Sequence, residues 1–529
     1  MNRPTATRDA AAKREALLTT FPGLVMEERQ GVLTVDAPAG RALEILRHLK
    51  EAPPPWGLNQ LTDLTAVDYP DQESIAVLYR LSRVPEYDTA VVRVMIPRTH
   101  PELPSAVSLW ANADWLEREV FDLFGVVFAG HPNLRRILTW DDFQGHPLRK
   151  TFWEMAVELP ETVEERGEEL TINVGPQHPS THGVFRFKVR LDGETIVEVE
   201  PVIGYVHRGM EKLLESRTWH QIIPYTDRFD YLASMFNNQA YAMAVERLAG
   251  IAVPERAEYL RVIACELNRI ASHLVAVGAY GLDVGALTPI LYTFREREKI
   301  YDLMEMLCGA RLLYAYMRIG GVGYDVPEEF WDRLNAFLAE LPRRIDEYED
   351  LLTTNEIFLA RTRGVGVLTG AHATNHGVTG PNLRASGVPY DLRKADPYSA
   401  YAAFDFAVVT GQRGDSYDRY LVRIQEMRES LKILEQAAQA CPREGPVLAK
   451  VPKVLKPPAG EAYAHVESPR GEVGCHLVSD GSTMPYRFRW RAPSFHHLSV
   501  LRELVKGAKI ADLIAVFGSI DIVGAEVDR

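Results

Sequence analysis

Two histidines in the segment GPQHPSTHG stand where their surroundings favour chemistry. His182 ends a loop bounded by Gly175 and Gly183. A histidine on such a loop can donate a hydrogen bond to a carbonyl group and pass on a proton near neutral pH. A histidine that only stabilises the loop is the simpler alternative. His178 and His182 also have the spacing of zinc ligands on a helix, but Pro179 disfavours a helix there and no third ligand is evident.

Two further side chains, a phenol and a carboxylate, have both a chemical and a structural interpretation. The phenol of Tyr231, in DRFDYL, can donate a hydrogen bond and stabilise developing negative charge. An aromatic residue beside Phe229 and Leu232 is more often part of the core. Asp283, in GLDVGALTP, is equally well explained as the cap of a helix or turn. Local sequence leaves these alternatives open.

The elements around these residues change from β to α along the chain. Residues 171–201 alternate like a hairpin with its tip at 175–183. A helix is predicted to open at Pro254 and close at Gly278, because six apolar residues recur there at spacings of three and four: Leu260, Ile263, Leu267, Ile270, Leu274 and Val277. Further helices are predicted near 327–352 and 417–440.

The first part of the chain is predicted to be a small α+β domain. From 21 to 98, the segments GVLTVDA, SIAVLYRL and AVVRVMIP are rich in β-branched residues and predict strands, and a helix is predicted near 40–50. An amphipathic helix, WLEREVFDLF, then runs into a loop dense in Gly, Pro, His and Arg, which is typical of a docking segment. The acidic stretch 154–170 is typical of a solvated connector and predicts the domain boundary.

Length and composition limit the possible classes of protein. With 529 residues, 46% of them apolar, the chain predicts roughly two to four packed units. A net charge of -13 argues against a nucleic-acid partner, which would require a basic face. No apolar run approaches the roughly 20 residues of a membrane-spanning helix, and the N-terminus lacks the apolar block of a signal peptide. We therefore expect a cytoplasmic chain unless a partner holds it to a membrane.

The four cysteines are isolated from one another: Cys265, Cys308, Cys441 and Cys475. No CxxC or Cys/His zinc pattern can be assembled from them locally, and a reducing compartment fits best. An iron–sulfur cluster usually needs four thiolates with some local pairing. We therefore expect no metal in this chain, and any cluster to belong to a neighbour.

A series of ordered motifs resembles a known family. From about residue 170 to 529 the chain is similar to the D-type subunit of respiratory complex I, through the segments GPQHPSTHG, HRGMEK, DRFDYL, ELNRIASHL, GALTP, FRERE, RIGGV, LRASGVPYDLRK, RGDSYDRYLVRIQEMRES, SPRGEVG and EVDR. The segments EREVFDLFGVVFAGHPNLRRIL and GHPLRK resemble the end of the C-type subunit. The resemblance implies a fusion: a C-type domain at 1–153, an acidic linker at 154–170 and a D-type domain at 171–529.

The resemblance assigns roles to the candidate residues. It implies that His182 and Tyr231 bind a quinone headgroup from opposite sides, and that Asp283 pairs with His182 and supports its protonated form. Arg208, in HRG, matches an arginine that lies near the terminal 4Fe-4S cluster of a partner subunit, where a positive charge would stabilise the reduced state. Without the resemblance, Arg208 would be a surface ion-pair arginine.

The resemblance also implies a fold, an activity and partners. The fold expected is a small α+β N-terminal domain followed by a mainly helical domain with β-elements, similar to the nickel–iron hydrogenase large subunit without its metal site. The activity is that of a proton-pumping NADH:quinone oxidoreductase, to which the chain contributes the quinone-reduction site and in which it is not active alone. The implied partners are the iron–sulfur B-type, ferredoxin-like I-type, G-type and membrane H-type subunits, on the cytoplasmic side of the bacterial inner membrane.

Two other classes of protein compete with this interpretation. A nickel–iron hydrogenase large subunit needs two CxxC pairs, and the corresponding regions here read YTDRFDY and SIDIVGAEVDR, without thiolates. A scaffold that only joins electron-carrying modules is favoured for the residues up to Trp153, where no acid–base group of residues is visible. The later domain combines His182, Tyr231 and Asp283, which scaffolding does not require.

Two departures from the family pattern concern contacts with partners. The chain is shorter than the usual D-type subunit between residues 435 and 466, which bears on the local interface. Leu313, in ARLLYAYMRIGG, stands where many relatives have a histidine beside the terminal cluster. That replacement bears on proton-coupled reduction of the cluster.

Overall fold

The first part of the chain folds around a five-stranded sheet with the strand order β1-β2-β5-β4-β3. The computed structural model describes residues 10–152, 170–176 and 183–529. Strands β2 and β5 are parallel, and the other neighbours are antiparallel. The strands are β1 Val25–Arg29, β2 Val32–Asp36, β3 Gln60–Tyr69, β4 Ser74–Arg83 and β5 Asp88–Pro97; a small parallel pair follows, β6 Glu102–Pro104 and β7 Val127–Ala129.

Three helices accompany this sheet: α1 Ala10–Thr20, α2 Ala42–Glu51 and α3 Ala113–Phe124. Helix α2 buries Ala42, Ile45, Leu46 and Leu49, which share one face at helical spacing. The three predicted strands, the helix near 40–50 and the helix in WLEREVFDLF are confirmed. The predicted acidic linker lies almost wholly outside the described residues, and only Leu170 is included, at the start of β8.

The second part combines helices with two three-stranded antiparallel sheets. The first sheet consists of β8 Leu170–Val174, β9 Arg186–Asp192 and β10 Thr195–Val202. The second consists of β13 Gly460–Glu467, β14 Glu472–Ser479 and β15 Arg487–Arg491. Between the two sheets in sequence, β11 Met317–Arg318 and β12 Gly321–Val322 form a short antiparallel pair. Strands β8 and β9 form the predicted hairpin around the segment 175–183. The mixed α+β class that the sequence predicts is therefore confirmed.

Two long helices of the second part, α9 and α14, follow the predictions closely, and a third, α7, begins where it was predicted to begin. The longer helices are α6 Ser234–Ala249, α7 Glu255–Asp283, α8 Thr288–Cys308, α9 Glu328–Leu352, α14 Ser416–Ala440 and α17 Ile510–Ile520. The shorter ones are α4 Met210–Leu214, α5 Trp219–Thr226, α10 Glu356–Thr362, α11 Gly370–Asn375, α12 Gly380–Ala385, α13 Leu392–Ala395, α15 Pro493–Ser499, α16 Leu501–Val505 and α18 Gly524–Asp528.

The C-terminal end of α7 differs from the prediction. The helix begins after Pro254 as expected, but it passes through Gly278 and ends at Asp283. Gly278 is needed where α7 meets α8: a Cβ atom there would lie 2.4 Å from Thr293 Oγ1 and 3.0 Å from the Cα atom of Ile290. The glycine allows two helices to approach closely and does not end the helix.

Helix α7 is also long and apolar enough to cross a membrane by length and composition. Every 18-residue window of this helix contains Glu266 and Arg269, so it is not an uninterrupted apolar run, and the expectation that no such run approaches 20 residues is not contradicted. In the most apolar 18-residue window of the helix, 89% of the residues are buried inside the protein. The helix is the central core element against which α8 and α14 pack.

Alternating side chains of β15 join the two parts of the chain. Arg487, Arg489 and Arg491 occupy every second position and so point to one face, toward β3. Arg489 forms two hydrogen bonds to the Asp63 carboxylate, at 2.7 and 3.1 Å, and Arg491 Nε donates to the Thr62 carbonyl at 2.8 Å. All three arginines are at most 2% exposed. The two parts therefore share a buried charged interface.

Two glycines of α7 provide a matched test of this packing. We expect Gly278→Ala to lower the free energy of unfolding by about 1–3 kcal/mol, because the added methyl group overpacks the contact with α8. At Gly281, a Cβ atom would make only ordinary contacts of 3.4–3.5 Å. Gly281→Ala should therefore be neutral or stabilising by up to about 1 kcal/mol. Thermal or urea unfolding of the purified chain measures both, and equal effects of the two substitutions would contradict the packing explanation.

Candidate functional site

Tyr231 lies on a tight turn, residues 227–233, between α5 and α6. The turn is fixed by buried polar contacts: Asp230 accepts from the Leu232 N–H at 3.0 Å, and Asn268 Nδ2 donates to the Leu232 carbonyl at 2.9 Å. The side chain of Tyr231 is 38% exposed, and its hydroxyl makes no hydrogen bond to any residue that the structure describes. The fixed turn thus presents a phenol that is available to a ligand.

The face of β15 opposite its arginines supports the same turn. Phe229 stacks on Trp490 with a centroid separation of 4.7 Å and an interplanar angle of 16°. Phe488 and Trp490 are the alternate residues of β15, so they point away from β3 and toward the turn. The sequence left open whether the aromatic residues of this turn belong to the core. Phe229 does, whereas Tyr231 reaches the surface.

A buried ion-pair cluster lies directly behind Tyr231. Arg470, in the turn between β13 and β14, contacts Asp230 at 2.5 Å and Asp521 at 3.5 Å. Burial raises the pKa of Asp230 more than the Arg470 guanidinium lowers it. Burial and the neighbouring Asp230 together raise the pKa of Tyr231. The phenol therefore keeps its proton at neutral pH and can act as a hydrogen-bond donor.

The C-terminal helix α18 adds a second acid to this cluster. The fully buried Glu526 accepts hydrogen bonds from the N–H and hydroxyl of Ser494, and its Oε1 atom has no partner among the residues that the structure describes. Burial and the negative charge of Asp230 raise the pKa of Glu526 to about 8. Three acids, Asp230, Asp521 and Glu526, thus lie around two cations, Arg470 and Arg423, the second of which is 3.8 Å from Asp521. Such a group can hold a proton near neutral pH.

Asp283 ends α7 beside α17. A Cβ atom on Gly518 of α17 would lie 2.7 Å from the Asp283 Oδ2 atom, so the carboxylate approaches this helix where the side chain is smallest. Gly518 precedes Asp521 by about one helical turn. The structure therefore brings Asp283 to the same end of α17 as the Arg470 cluster. The sequence left open that Asp283 caps a helix or turn. It is the last residue of α7 and therefore does not cap the N-terminus of that helix.

The loop with the two histidines approaches this site at its described end. Residues 177–182, which include His178 and His182, lie outside the described residues. A Cβ atom on Gly183 would lie 3.4 Å from the backbone of Gly524, the first residue of α18. The described end of the loop therefore packs against the helix that carries Glu526.

Arg208 lies beside the turn that carries Tyr231. Its side chain is exposed, and its Nη2 atom donates to the Arg228 carbonyl at 3.3 Å. Arg228, also exposed, lies 3.7 Å from the carboxylate of Asp227 at the start of the turn. Arg208 thus places a positive charge at the surface near Tyr231, and its hydrogen bond in the described structure is to a backbone carbonyl.

Leu313 lies in a segment that contacts the same turn. It adopts a left-handed backbone conformation with φ 58°, as does Ala315 with φ 41°. The Ala315 N–H donates to the Asp227 carboxylate at 3.1 Å. The segment between α8 and β11 is therefore tied to the first residue of the Tyr231 turn.

Sequence reasoning missed the Arg470 cluster. Asp230, Arg470 and Glu526 lie inside the quoted motifs DRFDYL, SPRGEVG and EVDR, but no role was assigned to them. A usable signal was present, since charged residues inside apolar segments are seldom buried without partners. The contact between Arg470 and Asp230 joins positions 240 residues apart, and local sequence does not reveal it.

Among the residues that the structure describes, the side chains that could bind a metal do not gather at one point. Within 10–152, 170–176 and 183–529, no group of three His, Cys, Asp or Glu side chains could hold a metal ion. Cys265, Cys441 and Cys475 are buried, Cys308 is half-buried, and all four are free thiols. The chemistry that the described site offers is hydrogen-bond donation and proton transfer.

Comparison with protein families gives the class of the protein. Residues 35–156 match the family model of the respiratory-chain NADH dehydrogenase 30 Kd subunit. Residues 283–457 and 450–529 match the model of the 49 Kd subunit of the same enzyme. The chain thus carries sequences of two different subunits of one respiratory enzyme.

Individual relatives extend the match to the full length. The D subunit of the NADH-quinone oxidoreductase of Dehalococcoides mccartyi is 60% identical over 363 residues, which cover 68% of this chain and 99% of the relative. The D subunit of the Bacillus thuringiensis enzyme is 54% identical over 363 residues, 69% of this chain and 99% of the relative. The C/D subunit of the Methylococcus capsulatus enzyme is 42% identical over 592 residues, 100% of both chains. The chain belongs to the family of fused C/D subunits of NADH-quinone oxidoreductase, the respiratory complex I.

The buried acid Glu526 leads to a prediction about pH. Because the folded protein holds this proton more tightly than the unfolded chain, the free energy of unfolding should fall as pH rises from 4.5 to about 8. Glu526→Gln keeps an acceptor for Ser494 but cannot ionise, so it should reduce the slope in this window. Glu117 and Asp227, whose pKa values burial raises to about 8 and about 7, account for part of the slope that remains. Urea unfolding at several pH values measures the difference from wild type.

A control for this experiment removes a negative charge at the surface. Glu329→Gln, on the exposed side of α9, should leave the slope of wild type in place. A Glu526→Gln profile parallel to wild type between pH 4.5 and 8 would show that Glu526 is ionised in the folded protein.

Proposed function

We propose that this chain forms the quinone-reduction site of a proton-pumping NADH-quinone oxidoreductase. The observation that carries the proposal is the phenol of Tyr231, exposed on a fixed turn and without a hydrogen bond to any described residue. A carbonyl oxygen of a quinone is a suitable acceptor for such a donor. As the carbonyl gains negative charge during reduction, a positioned donor stabilises that charge.

His182 and Asp283 complete the proposed site. In this proposal His182 donates to the second carbonyl of the headgroup and delivers a proton. Asp283 supports the imidazolium form of His182. Two contacts support the proposal: Gly183 packs on Gly524 of α18, and Asp283 lies beside Gly518 of α17. Asp521 lies between these two helices, so both contacts are close to the Arg470 cluster. Protons would reach His182 from the buried acids around Arg470.

Arg208 is proposed to face an iron–sulfur partner. The 4Fe-4S cluster of the partner supplies the electrons when the complex is assembled. Arg208 is exposed, carries a permanent charge and lies beside the Tyr231 turn, which suits a residue that stabilises negative charge on a neighbouring subunit. The left-handed Leu313 segment, tied to the same turn, is proposed to contribute to that interface.

The two domains of the chain are proposed to have different roles. We propose a C-type domain at 1–153, which is structural, a linker at 154–170 and a D-type domain at 171–529, which carries the quinone chemistry. The D-type domain is proposed to resemble the nickel–iron hydrogenase large subunit in fold. The segments YTDRFDY and SIDIVGAEVDR offer oxygen and nitrogen donors where a nickel site needs thiolates, which supports a quinone as the ligand.

The proposed partners are the B-type, I-type, G-type and membrane H-type subunits of complex I. In this arrangement the chain is peripheral, on the cytoplasmic side of the bacterial inner membrane, and has no nucleic-acid partner. The net charge of -13 supports the last point. Energy from quinone reduction would drive proton translocation by the larger complex.

Substitutions at the two proposed donors test the quinone site. In the assembled complex, His182→Ala and Tyr231→Phe should each lower NADH:quinone reductase activity by about a hundredfold, the typical effect of losing one positioned donor. Reduction of the iron–sulfur clusters by NADH, followed by electron paramagnetic resonance, should persist. Tyr324→Phe, at another exposed tyrosine, is the matched control and should retain full activity. Wild-type quinone turnover in both site variants would defeat the assignment.

Asp283→Asn tests the pairing with His182. Without the carboxylate the imidazolium form is less favoured, so the alkaline limb of the rate profile should move to lower pH. The measurement is quinone reductase activity of the complex from pH 6 to 9, about the range in which an imidazole is expected to titrate. An unchanged limb, under conditions where quinone chemistry limits turnover, would count against the pairing.

A further inference from the structure

A cavity of about 450 Å³ lies between the two parts of the chain, away from the Tyr231 turn. One wall is the face of the first sheet that turns away from α2, and the other is formed by β13 and β14 with the C-terminal end of α6. Its volume is within the range of small-molecule sites in proteins, which is about 300–1,000 Å³. The proposed quinone chemistry does not use this cavity.

The floor of the cavity is apolar. Val32, Leu78 and Val91 line it from the neighbouring strands β2, β4 and β5. Leu78 and Val91 belong to a small hydrophobic cluster that is separate from the main core, and Val32 packs against that cluster. A ligand with an apolar or planar body would therefore find a contact surface there.

Two arginines of the cavity, Arg80 on β4 and Arg247 on α6, lack a carboxylate partner. The guanidinium carbon of Arg80 lies 3.8 Å from the ring centroid of Tyr463, and Arg247 Nη1 donates to the Tyr463 carbonyl at 2.8 Å. Neither guanidinium has a carboxylate within 4.0 Å among the residues that the structure describes. Their remaining N–H groups are available to an anion.

The other arginines of the cavity are already neutralised. Arg93 forms two hydrogen bonds to the Asp36 carboxylate, at 2.5 and 2.9 Å. Arg29 contacts Glu461 at 2.9 Å and Glu27 at 2.8 Å. The contrast shows that an ion pair is the usual arrangement in this cavity, and that Arg80 and Arg247 depart from it.

The acids near Arg80 and Arg247 are occupied by a histidine. His465 contacts Asp396 at 2.9 Å and Glu472 at 2.8 Å, on its two ring nitrogens. Burial lowers the pKa of His465, but these two carboxylates raise it more, so the net pKa is raised. Tyr87, His465 and Asp396 all line the cavity, and the Tyr87 hydroxyl lies 3.3 Å from His465 Nε2. Among the residues that line the cavity, four arginines outnumber three carboxylates, Asp63, Asp396 and Glu461, so the lining carries an excess of positive charge.

We propose that this cavity is a binding site for an organic anion, in which Arg80 and Arg247 hold a single phosphate or carboxylate group and Val32, Leu78 and Val91 contact its apolar or planar body. Arginine binds both anionic groups through paired N–H donors. Because the walls come from both parts of the chain, a bound anion stabilises their contact by mass action. The site is independent of the quinone site.

Titration calorimetry of the purified full-length chain tests the proposal with three probes: inorganic phosphate, adenosine monophosphate and decanoate. The probes separate a free anion, a phosphate on a planar body and a carboxylate on an acyl chain. We expect at least one of the two organic anions to bind with a stoichiometry near one and more tightly than inorganic phosphate. Binding should weaken with added salt.

Two variants address the two halves of the site. Arg80→Gln combined with Arg247→Gln should weaken binding by about tenfold or more, the usual effect of losing a charge-assisted hydrogen bond. Val91→Phe, which fills the floor without changing a charge, should weaken the organic anions and leave both arginines in place. Arg333→Gln, at an exposed arginine of α9, is the control and should bind like wild type. Thermal unfolding checks that each variant is folded.

The outcomes are distinguishable. Binding of an organic anion that is lost in both the arginine pair and the Val91→Phe variant supports the proposal. Failure of all three probes to bind at up to about 1 mM, or binding unchanged in the double arginine variant, would overturn it. Binding of inorganic phosphate only, equal in wild type and in the double arginine variant, would mean an adventitious ion only and would also overturn it.

Discussion

The buried arginines of β15 are the constraint on which the rest of the structure depends. A guanidinium group cannot be removed from water without several kcal/mol of cost unless carboxylates and carbonyls replace its hydration. Arg489 meets this need with Asp63 and Glu119, both from the first part of the chain. The second part therefore cannot bury β15 unless the first part is folded against it. The pairs select one arrangement of the two parts more than they add net stability.

The same constraint fixes the C-terminus. Arg529 contacts Glu119 at 2.8 Å and donates to the Trp490 carbonyl at 2.6 Å. Asp528 accepts the N–H groups of Gly204 and Val206. The helix α18 is thereby held in place, and with it the residues that meet Arg470. A residue of the C-type region, Glu119, thus helps to position the acids behind the proposed quinone site.

The interior contains two kinds of charged cluster. Around Glu266, the cations Arg269 and Arg393 outweigh the effect of burial and lower the pKa of that carboxyl to about 2, so it stays ionised. Around Arg470 and Arg423 three acids outnumber two cations, and burial with the charge of Asp230 raises the pKa of Glu526 to about 8. The first kind of cluster is a permanent structural element, whereas the second can release or bind a proton near neutral pH. The proton-holding cluster lies directly behind Tyr231.

The sequence by itself determined the mixed α+β class, the long helices α9 and α14, three of the five strands of the first sheet (β2, β4 and β5) and the family, because these depend on local periodicity and on ordered motifs. It also singled out Tyr231 and Asp283 as candidates. Only the tertiary structure decided that α7 continues through Gly278, since the reason is a close contact with α8. Likewise, Arg470, Asp230 and Glu526 become a proton-holding cluster only when distant segments meet away from water, because burial and mutual charge, and not residue type, set their protonation.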